Sequence, residues 1–312
     1  MSILSAEHFH NEEAAYAWVE ARVWPNGPVC PHCAETERVG KLKGKSTRIG
    51  VHKCYKCRKP FTVKVGTIFE DSHIPLRFWL QAIHLIASSK KGISSNQIHR
   101  TLKVTLKSAW FLGHRIREAM RAGSFAAPMG GAGGSGIVEA DETFIGRKKG
   151  VPVKRGAGHK HAVLSLVERG GNVRSVHVEN VRAETLVPIV NENIAKEARV
   201  MTDDAATYYQ KLEGFAGHDT VNHSAEEYVR YENGVAIHTN TVEGYFSIFK
   251  RGMKGIYQHC GERHLHRYLA EFDFRYNNRV ARGVNDEERA DRILKGVAGK
   301  RLTYRTTDSG AE

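Results

Sequence analysis

The chain has 312 residues, with 47 Lys and Arg against 34 Asp and Glu, a formal charge of +13 and a pI near 9.5. Its length allows about two domains, and the surplus of positive charge fits a polyanionic partner, either nucleic acid or an anionic membrane surface. No stretch approaches about eighteen consecutive apolar residues, and the first residues lack the basic-then-apolar order of a secretory leader, which argues against the membrane and for a cytoplasmic protein.

From the N-terminus, residues 8–24 read as a short helix with Asn11 as N-cap and Glu12 and Glu13 in its first turn, broken by "PNGP". Short β-type runs follow from Val29 to about Val65, interrupted by glycines and by two cysteine pairs. Cys30 and Cys33 in "CPHC" and Cys54 and Cys57 in "CYKC" have twenty residues between the pairs. Four thiolates from two tight turns can close a tetrahedral shell around a structural Zn²⁺. Five cysteines are too few for a disulfide scaffold at this length, and Cys260 reads as an ordinary thiol. Between residues 38 and 64 the ribbon carries ten Lys or Arg and no Asp or Glu, a one-sided block of the kind that displaces counterions from phosphates.

Residues 75–121 carry three helical patterns, "PLRFWLQAIHLIASS", "SSNQIHRTL" and "TLKSAWFLGHRIREAM". The last two, with a cap at Ser94 or Ser95 and a short turn at residues 103–105, outline a helix-turn-helix. Its second helix bears Lys107, His114, Arg115 and Arg117 and would enter a major groove. A plain helical hairpin would give the same pattern. The domain reading is therefore a zinc ribbon with its leading helix over 1–70, a helix-turn-helix-like unit over 71–121, a Gly/Ala linker over 122–136, and a catalytic domain over 137–312.

After the linker, "GIVEADETFIG", "KHAVLSLVER" and "NVRSVHVENV" read as three consecutive strands. "ETLVPIVNENIAKE" then reads as a helix, "ARVMTDD" as a strand, "YYQKLEG" as a short helical turn, "HDTVNHS" as a strand and residues 238–252 as a helix. The order is mixed α/β. Within the first strand Glu139 and Asp141 share a face and Glu142 points away. A carboxylate inside an apolar strand is costly to bury unless it is paired or binds a cation, and "VMTDD" repeats the device at Asp203 and Asp204. In "HTNTVEGYFSIFKRG", Val242, Tyr245, Phe246 and Phe249 form an apolar stripe, while Asn240, Glu243, Ser247 and Lys250 share the neighbouring face. Two strand-borne aspartates and one helix-borne glutamate can hold two divalent ions for in-line phosphoryl transfer, a task suited to Mg²⁺ or Mn²⁺. No Gly-rich phosphate loop and no nucleophile elbow occurs.

The segments "VEADETFIGRKKG", "MTDDAATY", "NHSAEEYV", "HTNTVEGYFSIFKRGMKGIYQH" and "HLHRYLAEFDFRYNNR" together resemble the bacterial insertion-sequence transposases that place a zinc ribbon ahead of a DDE, RNase H-like catalytic domain. The resemblance covers nearly the whole chain. It implies an RNase H-like mixed sheet flanked by helices, Asp141 and Asp203 as the first two metal-binding acids, and Glu243 as the third. Asn240, three residues earlier, is the alternative third ligand, and both share one helix face. It further implies that Lys250 contacts DNA near the reacting phosphate and that His223 neighbours the site. Arg251 beside Lys250, Lys148 and Lys149 in the basic loop after the first strand, and Arg115 are the other candidate DNA contacts. The implied partners are the terminal inverted repeats of the element and its target DNA, engaged by a homodimer or larger synaptic assembly associated with the nucleoid. A nuclease of the same fold and a non-catalytic zinc-ribbon DNA-binding regulator are the alternatives.

Overall fold

The computed structural model describes residues 2–121, 127–132, 135–203, 212–222 and 225–302. The chain divides into two compact units, one of residues 1–121 with 283–312, the other of residues 122–282.

In the first unit, helix α1 (Glu12–Val23) starts where Asn11 accepts hydrogen bonds from the amides of Glu13 and Ala14. Three short antiparallel strands follow, β1 (Val39–Lys41), β2 (His52–Cys54) and β3 (Pro60–Phe61). Helix α2 (Leu76–Ser88) has no capping side chain of its own. The Glu12 carboxylate instead accepts from the amides of Leu76 and Arg77 at 2.6 and 3.2 Å, so the two helices are tied end to end. Helices α3 (Ser95–Leu102) and α4 (Leu106–Met120) are capped by Ser94 and Thr105. Lys103 takes the left-handed conformation in the turn between them, at φ 55°.

The C-terminal helix α8 (Asp286–Lys295) departs from the domain reading above. It belongs to the first unit and not to the catalytic span. Ile293 and Leu294 are buried, Arg289 donates to the Ala87 carbonyl at 2.7 Å, and Asp291 pairs with Arg22 at 2.6 Å. A short helix with one apolar stripe packs where a complementary face exists, and sequence order does not reveal where that is.

The second unit is built on a five-stranded sheet in the order β6–β5–β4–β7–β8. Strands β4 (Ile137–Ile145), β5 (His161–Glu168) and β6 (Val173–Val178) are antiparallel neighbours, and β7 (Arg199–Asp203) and β8 (Gly217–Val221) run parallel to β4. This mixed sheet between helices is the expected RNase H-like arrangement. Every residue of β5 is buried, because helices cover both faces. On one face Val138, Ala140, Leu164, Leu166 and Val200 pack with α5 (Ala183–Asn193). On the other Val163, Val167 and Val173 meet α6 (Asn240–Gly252) and α7 (Glu262–Asn277) through Val242, Tyr245, Phe249 and Phe272. A small hairpin, β9 (Arg230–Glu232) and β10 (Val235–Ile237), leads into α6.

The expected linker is only partly one. Its residues 122–126 and 133–134 lie outside the described residues, as does most of the expected "YYQKLEG" turn. Met129, however, is buried in the α5 core, and its backbone bonds to Asn193 and Ala195. Gly130, at φ +75°, sits so close to Val138 and Ala198 that a Cβ would lie 2.9 and 2.7 Å from their side chains. Small residues here serve close packing.

Candidate active site and zinc centre

Parallel pairing of β4 with β7 matches Glu139 to Met201, and the same register carried two residues further aligns Asp141, in the middle of β4, with Asp203, the last residue of β7. Opposite Asp141 on β5 is Ser165, on the face covered by α6 and α7, and Glu142 points to the α5 side opposite Leu164. Burial pushes the Asp141 carboxyl up to about 6. A hydrogen bond from the Glu142 amide opposes that shift, the charges of Asp203 and Glu243 add to it, and that of Lys250 draws it back. Asp203, Glu243 and Lys250 are thus electrostatic neighbours of Asp141. Each acts on Asp141 through its charge, although the oxygens of the three carboxylates do not all lie within 4.8 Å of one another.

What seats α6 is Glu139. This residue is fully buried, and its Oε2 accepts from the amides of Thr241 and Val242 at 2.8 and 3.0 Å, while Oε1 accepts from the Thr241 hydroxyl at 2.8 Å. The Asn240 amide donates to His238 Nδ1 and the Glu243 amide to the Thr239 carbonyl, so all four leading amides of α6 are satisfied. Arg169, just beyond β5, donates Nε to Glu139 Oε1 at 2.7 Å and reaches the carbonyls of Ala236 and His238 and the Met201 sulfur. The negative end of this pair lies at a helix N-terminus, where the dipole favours it. At the far side of α6, the Tyr245 hydroxyl donates to half-buried Asp273 of α7 at 2.6 Å, and Ser175 of β6 donates both its amide and its hydroxyl to the same carboxylate. Neither Glu139 with Arg169 nor the Ser175, Asp273 and Tyr245 network was recognised from sequence. The lone buried acid on the face of Asp141 was the available signal.

In the ribbon, the four thiols converge. Cys30 Sγ is 3.7 Å from Cys57 Sγ, and Cys33 Sγ is 3.6 Å from Cys54 Sγ. Bonds of about 2.3 Å to a tetrahedral Zn²⁺ require sulfur separations of about 3.8 Å, so the donor set and its spacing fit that ion. Phe61, Trp24, Val39 and Val65 pack around it.

Comparison with known proteins recognises two domains in the chain. Residues 134–277 match the ISXO2-like transposase domain, and residues 10–60 match the transposase zinc-ribbon domain. The chain carries the zinc ribbon and the DDE domain of an insertion-sequence transposase. A protein of the transposable element ISH50 of Halobacterium salinarum is 26% identical over 270 residues, covering 81% of this chain and 86% of that protein. The crystal structure of the Mos1 strand transfer complex is similar over 69% of this chain and 74% of that one, at 14% identity and a TM-score of 0.28, too low to bear on the fold.

Among the other expected contacts of the DDE domain, Asn240 is exposed at the first turn of α6, one turn before exposed Glu243. Lys250 lies 5.7 Å from the Phe246 ring, and Arg251 folds back onto Ser247 of its own helix. Lys148 donates to the Glu179 carbonyl at 3.3 Å, and Lys149 is exposed in the same loop. His223 lies outside the described residues, as does Asp204. Arg115 is different. It is 4% exposed, and its guanidinium donates to the carbonyls of Ile68, Glu70 and Leu302, so it is a buried strut and not a DNA contact. The second helix of the helix-turn-helix-like pair is buried from Leu112 to Met120, which leaves its N-terminal end to present charge. Arg100, Lys103 and Lys107 are exposed there. Among the described residues, no helix is long and apolar enough to cross a membrane.

Proposed function

We propose that the chain cleaves the ends of its insertion sequence and joins the resulting 3′-OH groups to target DNA by in-line phosphoryl transfer. The observation that carries this reading is the juxtaposition of Asp141 and Asp203 on paired parallel strands, with Glu243 close enough for its charge to act on Asp141. Hard oxygen donors on two strands and a helix suit Mg²⁺ or Mn²⁺, which when bound would stabilise the attacking and leaving oxygens. Asp141, Asp203 and Glu243 would hold the ions, and exposed Asn240 is placed to share the third position. Lys250 offers a point charge to a phosphate next to the reacting one. Arg251, Lys148 and Lys149 extend positive charge along the bound strand. The ribbon and the exposed N-terminal end of α4 would recognise the terminal inverted repeats. Because two ends must be joined together, the working form is a homodimer or larger assembly on DNA.

The test is strand transfer by the purified chain, wild type beside Asp203→Asn, with Mg²⁺ or Mn²⁺ and DNA from the flanks of its own gene. The expected result is joined product from wild type only, with DNA binding retained in the variant. Hydrolysis without joining of pre-cleaved ends would reassign the chain as a nuclease. Binding without cutting in both proteins would reassign it as a DNA-binding regulator.

A further inference from the structure

A second cluster of metal-ligating side chains lies outside both centres. His161 begins β5, His177 lies near the end of β6, and Glu262 is the first residue of α7. Glu262 Oε1 is 3.8 Å from His161 Nδ1 and 3.8 Å from His177 Nε2, and the three ligand atoms all lie within 4.8 Å of one another. Both nitrogens are buried, and neither has a hydrogen-bond partner among the described residues. His161 as a whole is 3% exposed.

Two orphaned imidazole nitrogens aimed at one carboxylate are costly in a folded protein. A buried polar atom without a partner forfeits about 1–3 kcal/mol, and one such atom on each of two adjacent strands calls for a common explanation. A direct hydrogen bond to Glu262 would need about 3 Å, whereas ligands around a tetrahedral ion with bonds of about 2.0–2.1 Å stand about 3.3–3.4 Å apart. The two separations from Glu262 are within about half an ångström of that spacing. The donor set of two imidazoles and a carboxylate is borderline in softness and suits Zn²⁺ over Mg²⁺ or Ca²⁺.

We propose that His161, His177 and Glu262 form a second Zn²⁺ site, distinct from the four-cysteine ribbon and from the carboxylates of the DDE domain, with water completing the shell. The site is structural. It fastens the N-terminus of α7 to the first two strands of its sheet edge, and α7 in turn carries Asp273, which holds Tyr245 of α6. Gly261, the residue preceding α7, provides no side-chain cap, so the ion supplies the fixed point that this helix start lacks.

The experiment is zinc content per chain on the full-length protein, loaded with Zn²⁺ alone and then desalted. About two ions are expected in wild type and in Asp203→Asn, and about one in His177→Gln and in Glu262→Gln. Glu262 is 59% exposed at its side chain, so its substitution spares the fold, and unchanged protease resistance of residues 135–282 reports that the unit holding the site stays folded. Loading with Co²⁺ gives an independent reading. The ribbon yields thiolate charge-transfer absorption, and the second ion adds only weaker ligand-field bands, absent from Glu262→Gln. One ion in wild type, two ions retained in both site variants, or loss of the second ion in Asp203→Asn instead would each overturn the assignment.

Discussion

The Glu139 carboxylate caps α6 from a different element, accepting the Thr241 amide at 2.8 Å from within the sheet. Strand β4 therefore carries both a candidate metal-binding carboxylate, Asp141, and, two residues before it, the anchor for the helix bearing another candidate, Glu243. The start of α6, and with it Glu243, is fastened to β4 through Glu139, which also pairs with Arg169 at 2.7 Å. Removing Glu139 leaves two helix amides and a guanidinium without their acceptor. Glu139→Ala should destabilise the chain by about 3–5 kcal/mol in urea unfolding. It should abolish cleavage in whatever fraction stays folded, while DNA binding by that fraction persists. Unchanged stability would show that the cap does not bear on α6.

Asp141 gives a pH dependence of opposite sign to that of a salt-bridged acid. Its folded carboxyl stands near 6, above the ordinary value of 3.8, so between pH 4 and 6 the folded state holds a proton that the unfolded chain has released. Stability of the protein without added divalent ion should fall as pH rises through that window, and the penalty is fully present above pH 6. Asp141→Asn should therefore stabilise the Mg²⁺-free protein at pH 7, by up to roughly 3 kcal/mol at about 1.4 kcal/mol per pKa unit, with no gain below about pH 4. Thermal melts at pH 4 and pH 7 test this. In wild type, added Mg²⁺ should recover much of the loss at pH 7 and little at pH 5, because a protonated carboxyl is a poor ligand.

The parts of this site that could be read in the sequence are those governed by local periodicity. The two-residue repeat of a strand placed Glu139 and Asp141 on one face, the 3.6-residue repeat separated the apolar and polar sides of α6, and cysteine spacing announced the ribbon. What could not be read depends on distant partners. Nothing near Glu139 says that its carboxylate ends at an amide 102 residues away, or that Arg169 will bind it. Arg115 shows the same limit in reverse, since a basic residue on a predicted recognition helix looks identical in sequence whether it faces phosphate or three backbone carbonyls. Helix α8 was assigned by its position in the chain, and packing placed it with α2.

The ribbon should depend on its ion outright. Its strands are two or three residues long and its packed core is small, so the folding free energy of this module comes mainly from the metal, about 10–16 kcal/mol for structural zinc sites of this kind. Cys57→Ser, or chelation of wild type, should make residues 30–65 sensitive to protease. Binding to the terminal repeats should fall by at least about tenfold if the ribbon supplies phosphate contacts. The helices of the second unit should keep their circular dichroism and the DDE domain its resistance to cleavage.

Arg115 and Lys107, on the same helix, should fail in different ways. Arg115→Ala removes three hydrogen bonds from one guanidinium, one buried and two partly buried, and leaves the carbonyls of Ile68, Glu70 and Leu302 without it. A loss of about 2–4 kcal/mol in unfolding free energy is expected, with the salt dependence of DNA binding unchanged for the protein that remains folded. Lys107→Ala touches an exposed position at the start of α4, so stability should change by less than about 0.5 kcal/mol. If that end of the helix lies against phosphate, the slope of log K against log salt should drop by about 1 across all sequences tested. A drop that appeared only on the terminal repeats would mean that Lys107 reads a base, and a drop in the Arg115 variant alone would mean that the buried strut opens on DNA.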